Sequence, residues 1–306
     1  MKKTSLLFLL TLFFGQLSAQ IDMQDSTVQV ISYWKMGEVQ KYHISESEIV
    51  VTEKDTLSTI ENSYDVKIEV TDSTSFGYIL EWTKTNFQFS KSNSLDVQLE
   101  AILSDIPILL TTDIYGGDLQ VLNWEDLSTY VDNKCKLLID EYKNKQAALA
   151  KINQVIRRHS TKESFETFIV RDAHQYFTYH GAKYKLGEPV TQSIKVSNNY
   201  GGDALDATAA LVLDELLPEN NTSIIKSFQN INPQQLTAVT YDYLKSLNIV
   251  DGSLPSYEDF PTVTKQIWGG SEIHSTSGWV IYSQESEQVT NGDDVTLKER
   301  IIEIVN

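Results

Sequence analysis

The spacing of apolar residues in this chain switches between two periods, and that switch limits the fold more than any single motif. From Thr27 to about Phe89, the stretches TVQVISYW, VQKYHI, EIVVTE, YDVKIEV and FGYILEWTKTNF alternate or cluster β-branched and aromatic residues, as strands do. At Trp124 the step lengthens to three and four. Val131, Cys135, Leu138, Tyr142, Leu149, Ile152 and Ile156 then share one stripe that only Lys145 interrupts. This predicts an amphipathic helix over 124–157, about 50 Å long if straight. From Tyr184 the strand period returns. Strand blocks flanking a helical block predict an α+β fold: curved antiparallel sheets in two β-rich halves, 21–123 and 183–306, with a long antiparallel helical hairpin over 124–182 between them.

Local signals fill in the outline. DSTS at 72–75 and YGGD at 115–118 read as hairpin turns, and LDVQLEAIL at 95–103 as a short helix. Ser160 with Glu163 forms an S-x-x-E capping box, which opens a second long helix. Its stripe is Phe165, Ile169, Ala173, Tyr176 and His180, and Gly181 ends it as a left-handed cap. ALDATAALVLDELL at 204–217 suits helix by composition, but the PENN turn and TSIIKSFQNI after it tip the reading to strand. Asn232-Pro233 opens a further helix with the stripe Leu236, Val239, Tyr243 and Leu247. A meander with turns TSG at 276–278 and NGDD at 291–294 closes the chain.

Two pentamers resemble each other: WKMGE at 34–38 and YKLGE at 184–188. Strands, a helical piece, more strands and a Gly-Gly pair follow each of them, Gly116-Gly117 in one case and Gly269-Gly270 in the other. The order is that of one unit used twice, while five loosely similar letters also recur by chance.

The first twenty residues, MKKTSLLFLLTLFFGQLSAQ, have a basic start, an apolar run from Leu6 to Phe14 and small residues at Ser18-Ala19. This is the layout of a secretory signal peptide cleaved after Ala19. No Cys stands near that point, so the expectation is an exported protein, periplasmic or extracellular, that is not a lipoprotein and has no transmembrane segment after cleavage. The chain carries a net charge of −17, which repels phosphate backbones and excludes nucleic acid as an expected partner. Cys135, the single cysteine, allows no internal disulfide and sits where a buried core thiol belongs.

Motifs for chemistry are sparse. There is no G-x-S-x-G elbow, and the five histidines, at 43, 159, 174, 180 and 274, make no paired metal spacing. His274 near Ser271 and Ser275 lacks a nameable third member of a triad. The acid pairs Glu125/Asp126, Glu163/Glu166 and Asp214/Glu215 read as solvated faces in an acidic chain. No catalytic residue, metal or cofactor is expected. What remains is aromatic: Trp34, Trp82, Trp268, Trp279 and Tyr282 are the candidate ligand-binding residues, on a curved sheet with room for an apolar ligand against the helices.

The entry Lys35-Met36-Gly37-Glu38 and its counterpart Lys185-Leu186-Gly187-Glu188, the LQVLNWEDL passage and the closing STSGWVIYSQES hairpin resemble uncharacterised exported β-rich proteins of Gram-negative bacteria. More faintly, they resemble the half-barrel carriers that ferry lipoproteins across the periplasm. The resemblance implies an antiparallel sheet curling around helices and a role in handling lipid or lipoprotein. It carries no functional residue over. The leading expectation is therefore a non-catalytic binding or envelope-assembly protein holding an apolar small molecule or lipid. Two alternatives stand beside it. In a structural or interaction module, the helical hairpin would dock an envelope protein through an exposed apolar stripe. In an exported hydrolase with a dispersed site, a cleft would gather His274 or His174 with two acids.

Overall fold

The strands on either side of the helical block share one sheet. This is a computed structural model describing residues 21–52, 55–90, 94–198, 200, 202–246 and 254–305; the leader expected at 1–20 lies outside the described residues. The first strand-rich segment gives β1 (Ile21–Asp22), β2 (Thr27–Gln29), β3 (Val39–Thr52), β4 (Asp55–Ser73), β5 (Gly77–Phe89), β6 (Ile108–Asp113) and β7 (Gln120–Val121), with helix α1 (Ser94–Glu100) between β5 and β6. Helices α2 (Trp124–Tyr142), α3 (Gln146–Arg158), α4 (Lys162–Ile169) and α5 (Arg171–Phe177) follow. Then come β8 (Lys183–Lys185), β9 (Val190–Val196), β10 (Leu205–Leu217), β11 (Thr222–Ile231), α6 (Pro233–Ser246), β12 (Val263–His274), β13 (Val280–Asn291) and β14 (Asp294–Ile304). The fold is α+β and its large sheet is antiparallel throughout.

The two sheets expected of the two halves are one. Eleven strands run in the order β7-β6-β5-β4-β3-β14-β13-β12-β11-β10-β9, and β1-β2-β8 form a small second sheet. The join is β14 on β3, paired from Val295↔Val51 to Ile304↔Tyr42. Each half alone would leave a long strand edge open, and pairing the two edges satisfies both ladders. The sheet does not close on itself; β7 and β9 are its edges.

Read from the β9 edge, the strands run 9 to 14 and then 3 to 7, so the same meander appears twice in the same direction, with a helix between the third and fourth strand each time. The two pentamers sit at equivalent places and make the same turn. Glu38 N–H donates to the Lys35 carbonyl and Glu188 N–H to the Lys185 carbonyl, at 3.0 and 3.1 Å. Gly37 and Gly187 take positive φ, +83° and +71°. Each glycine N–H then donates into the second strand of its own meander, to Val70 in β4 and Leu213 in β10. The Gly-Gly part of the match does not hold: Gly116 lies in a turn at φ +85°, while Gly269 and Gly270 lie inside β12.

The helical block also differs from expectation. The long stripe breaks at its one polar interruption: Lys145 is extended at φ −120°, ψ 93°, and α3 folds back on α2. Val131, Cys135 and Ile152 are fully buried by that fold-back. The second stripe also breaks, at Val170 between α4 and α5. Its N-cap is Thr161 with Ser164 rather than Ser160 with Glu163: Ser164 N–H donates to Thr161 Oγ1 at 3.2 Å. Gly181 takes a left-handed φ but does not cap the helix: α5 ends at Phe177 with Thr178 as its C-cap, and Gly181 lies in the turn beyond, its N–H donating to the Val30 carbonyl at 2.8 Å. Residues 205–217 form a strand, as expected. The helices cover one face of the sheet, whose core includes Tyr42, Ile44, Val66, Ile68, Leu80, Trp82, Ile108 and Leu110, all at or near zero exposure. The other face is polar, with pairs such as His43 with Asp65 and Lys67 with Glu69.

Candidate functional site

Helices α1, α3, α4 and α5 stand off part of the sheet. Between them and strands β3, β4, β5, β13 and β14 lies an open cavity of about 750 Å³, the size of a small-molecule site. The sheet register explains what faces it. Glu285, Arg300, Glu46 and Asn62 are cross-strand neighbours in one row, and Glu287, Lys298, Glu48 and Ile60 in the next. One row closer to the core, the same strands present Ser283, Ile302, Ile44 and Tyr64. The helix-covered face thus turns from aliphatic to charged along the strands, and the cavity begins at that change.

The lining is divided. Apolar side chains come from β4, β5, α1 with the turn after it, and α3: Ile60, Tyr64, Phe87, Leu99, Leu103 and Val155 among them. Strands β3, β13 and β14 and helices α4 and α5 contribute only polar and charged groups, such as Glu46, Arg300, Arg171 and His174. A wall of each kind faces one space.

Two buried ion pairs form its floor. Lys84 Nζ lies 2.8 Å from Asp172 Oδ2, to which Tyr64 donates its hydroxyl at 3.0 Å. Burial works against the Asp172 charge, but Lys84, with Arg300 behind it, holds the carboxyl below its ordinary pKa. Burial and the Asp172 charge push the Tyr64 phenol well up, so it stays a donor. Arg300, 5% exposed, donates from Nε to Glu46 Oε1 at 2.7 Å and lies 3.6 Å from Glu285. Burial opposes the Glu46 charge too, and Arg300 outweighs it, leaving that pKa lowered. Gln175 ties α5 to the same strands, donating to Ser283 Oγ at 3.0 Å. These contacts fix α5 over β13 and β14 and keep the charged wall in place.

His174 lies on the cavity with Asp172 and Glu285, as a hydrolase would require. Burial lowers its pKa, opposed first by the Glu166 charge and a bond to the Glu166 backbone. Asp172 is occupied by Lys84 and Tyr64, and Glu285 faces Arg300. His274 lies elsewhere, at the β12–β13 turn, with its Nδ1 2.8 Å from Ser277 Oγ and its Nε2 3.3 Å from Asn221 Nδ2. Among the described residues, no three His, Cys, Asp or Glu side chains are placed to hold a metal ion. Cys135 is buried, and burial, aided by Asp132, raises its pKa to about 11.

The five aromatic residues singled out from the sequence are not brought together. Trp34 and Trp279 stack at 4.7 Å in the core, where Phe177 and His180 also pack on Trp34. Trp82 is fully buried against Tyr176. Trp268 pairs with Phe228, and Tyr282 with Glu272, on the face away from these helices. None of the five lines the cavity. The site was nonetheless marked in the sequence, by SESE in β3, ESE in β13 and KER in β14. These are charges at every second position in the middle of three strands, and they line up across the sheet. The stripe on 124–180 is mostly buried, and Leu137 stands exposed on α2. Among the described residues, no helix is long and apolar enough to cross a membrane.

No family model and no curated relative matches the chain. Among solved structures, the chain is similar to one titled for lipid–protein interactions in lipovitellin, at 11% identity and a TM-score of 0.44. That match covers 89% of this chain but 25% of the lipovitellin chain, so the protein spans about a quarter of its length. It is also similar to a LolA-superfamily protein of Nitrosomonas europaea, at 7% identity, 87% of each chain and a TM-score of 0.15. An outer-membrane channel of Pseudomonas putida follows at 5% identity, 90% of this chain and 98% of that one, with a TM-score of 0.17.

Proposed function

We propose that this chain is an exported, non-catalytic binding protein that holds an amphiphile between its sheet and its helices. The observation that carries the reading is the divided cavity. A wholly apolar ligand would strand the charged wall without water, and a wholly polar one would leave Phe87, Leu99 and Leu103 wet. A molecule with an apolar part and a polar head satisfies both walls. This narrows the apolar ligand or lipid expected from the sequence to one that carries a polar head.

The test is calorimetric titration with a dodecyl chain bearing an uncharged glycerol head, against the protein and against Leu103→Trp, which fills the apolar side. Binding by the native chain, weakened at least tenfold in the variant, is the expected result. Equal affinity for both proteins, or no binding at all, contradicts it. A hydrolase is the second reading, favoured by His174 on the cavity. It requires turnover of an ester or amide amphiphile that His174→Ala abolishes.

A further inference from the structure

We propose that β9 pairs with β9 of a second copy of this chain, antiparallel and centred on Ser193, so that two eleven-stranded sheets become one. The inference is independent of the amphiphile reading. It starts from the two edges of the sheet, which are treated differently. β7 is two residues long, and the Glu166 carboxylate of α4 accepts its Val121 N–H at 2.9 Å. β9 runs for seven residues, and among the described residues only β10 bonds to its main chain.

Alternate residues of such an edge turn N–H and C=O outward, a template for another strand. The usual guards are missing from β9. No proline or glycine lies within Val190–Val196, and the ladder to β10 runs without a bulge from Val196↔Leu205 to Val190↔Leu211. Its one charge, Lys195, is held by Asp206 of β10.

The strand is complementary to itself. Antiparallel pairing about Ser193 sets Val190 against Val196 of the second copy, Thr191 against Lys195, Gln192 against Ile194 and Ser193 against Ser193. No two like charges are opposed. Val190, Gln192, Ile194 and Val196 share one face of the strand. On that face Ile194 and Val196 pack against the small core under α6, with Leu205, Ala207, Ile231 and Leu236, and both stay half-buried at its rim. Val190 is 55% exposed. The two-fold brings these aliphatic residues from both copies together and continues each small core into the other. Charge points to the same place. A net charge of −17 opposes self-association, but residues 189–202 contain no acid, so the copies meet where repulsion is least.

The experiment is sedimentation equilibrium on the full chain across a concentration series up to its solubility limit. A reversible monomer–dimer equilibrium is expected. Ser193 is exposed and central, so Ser193→Glu and Ser193→Lys each place like charges directly across the two-fold. Each should weaken the dimer at least tenfold while leaving the urea unfolding midpoint of the monomer unchanged. Mixed one to one, the two variants set opposite charges across the axis and should form a heterodimer at least as stable as the native dimer. A native chain that stays monomeric at every concentration overturns the proposal. A dimer that survives both substitutions, or variants that fail to restore it on mixing, shows that the copies meet elsewhere and overturns the assignment to β9.

Discussion

Lys84 of β5 and Asp172 of α5 meet at 2.8 Å beneath the cavity, with Asp172 almost wholly shielded from solvent. Removing one member leaves the other charge buried and alone. Lys84→Met is therefore expected to cost about 3–5 kcal/mol in urea unfolding, and Lys84→Met/Asp172→Leu to recover most of that loss. A single variant as stable as the native chain would show that the pair does not hold α5 to the sheet.

The second prediction concerns pH. His180 is buried in the aromatic core; its Nε2–H donates to the Gly278 carbonyl at 2.7 Å, and burial lowers its pKa to about 4. In the unfolded chain the ring takes up a proton near its ordinary value of about 6.5. The unfolded state therefore binds more protons between those values, and stability falls as pH drops from about 6.5 to 4, by on the order of 3 kcal/mol from this residue. His180→Gln keeps a donor for Gly278 and should flatten that slope. His159 and His174, also lowered by burial, leave a residual slope. Asp172 and Glu46 act lower on the scale. Their folded pKa values are depressed, so their contribution is present above the unfolded value and is lost as pH falls through the folded one. Denaturation midpoints measured from pH 7.5 to 3.5 for both chains separate the two effects.

Trp34 and Trp279 belong to the core and not to the cavity. Trp34→Ala is expected to cost about 3–5 kcal/mol in chemical denaturation. The folded fraction should bind the glycerol-headed probe within twofold of the native affinity. A tenfold loss of affinity would return these tryptophans to the ligand site.

Gly37 and Gly187 make the same left-handed turn in the two meanders, and the space around each is open. Alanine at either position meets only the backbone penalty, so Gly37→Ala and Gly187→Ala should each cost about 1–2 kcal/mol, measured by thermal or urea unfolding. A large cost at one and none at the other would break the equivalence of the two turns.

Much of the local structure was legible because it rests on local chemistry. Period two marked the strands and Pro233 the start of α6, while Gly181, read as a helix cap, lies in the turn after α5. The break of the long helix was visible at Lys145, but a polar interruption reads equally as an exposed notch until the sheet beneath is known. The join of β14 to β3 links residues some 250 positions apart, as in the bond from Arg300 to Glu46, and no local pattern encodes it. The aromatic residues misled for a related reason. Alternation shows which side chains share a face of one strand, but only the assembled sheet shows that Trp82 and Trp268 belong to opposite faces. The charged rows in β3, β13 and β14 carried the site in plain sight, and they acquire meaning only when three distant segments lie side by side.

The most direct test is native mass spectrometry of the protein purified, without detergent, from the organism that makes it. A bound species that partitions into organic solvent and ionises through a polar head is the predicted result. A chain that carries no added mass, or only a water-soluble molecule with no apolar part, would contradict the divided cavity as a binding site for amphiphiles.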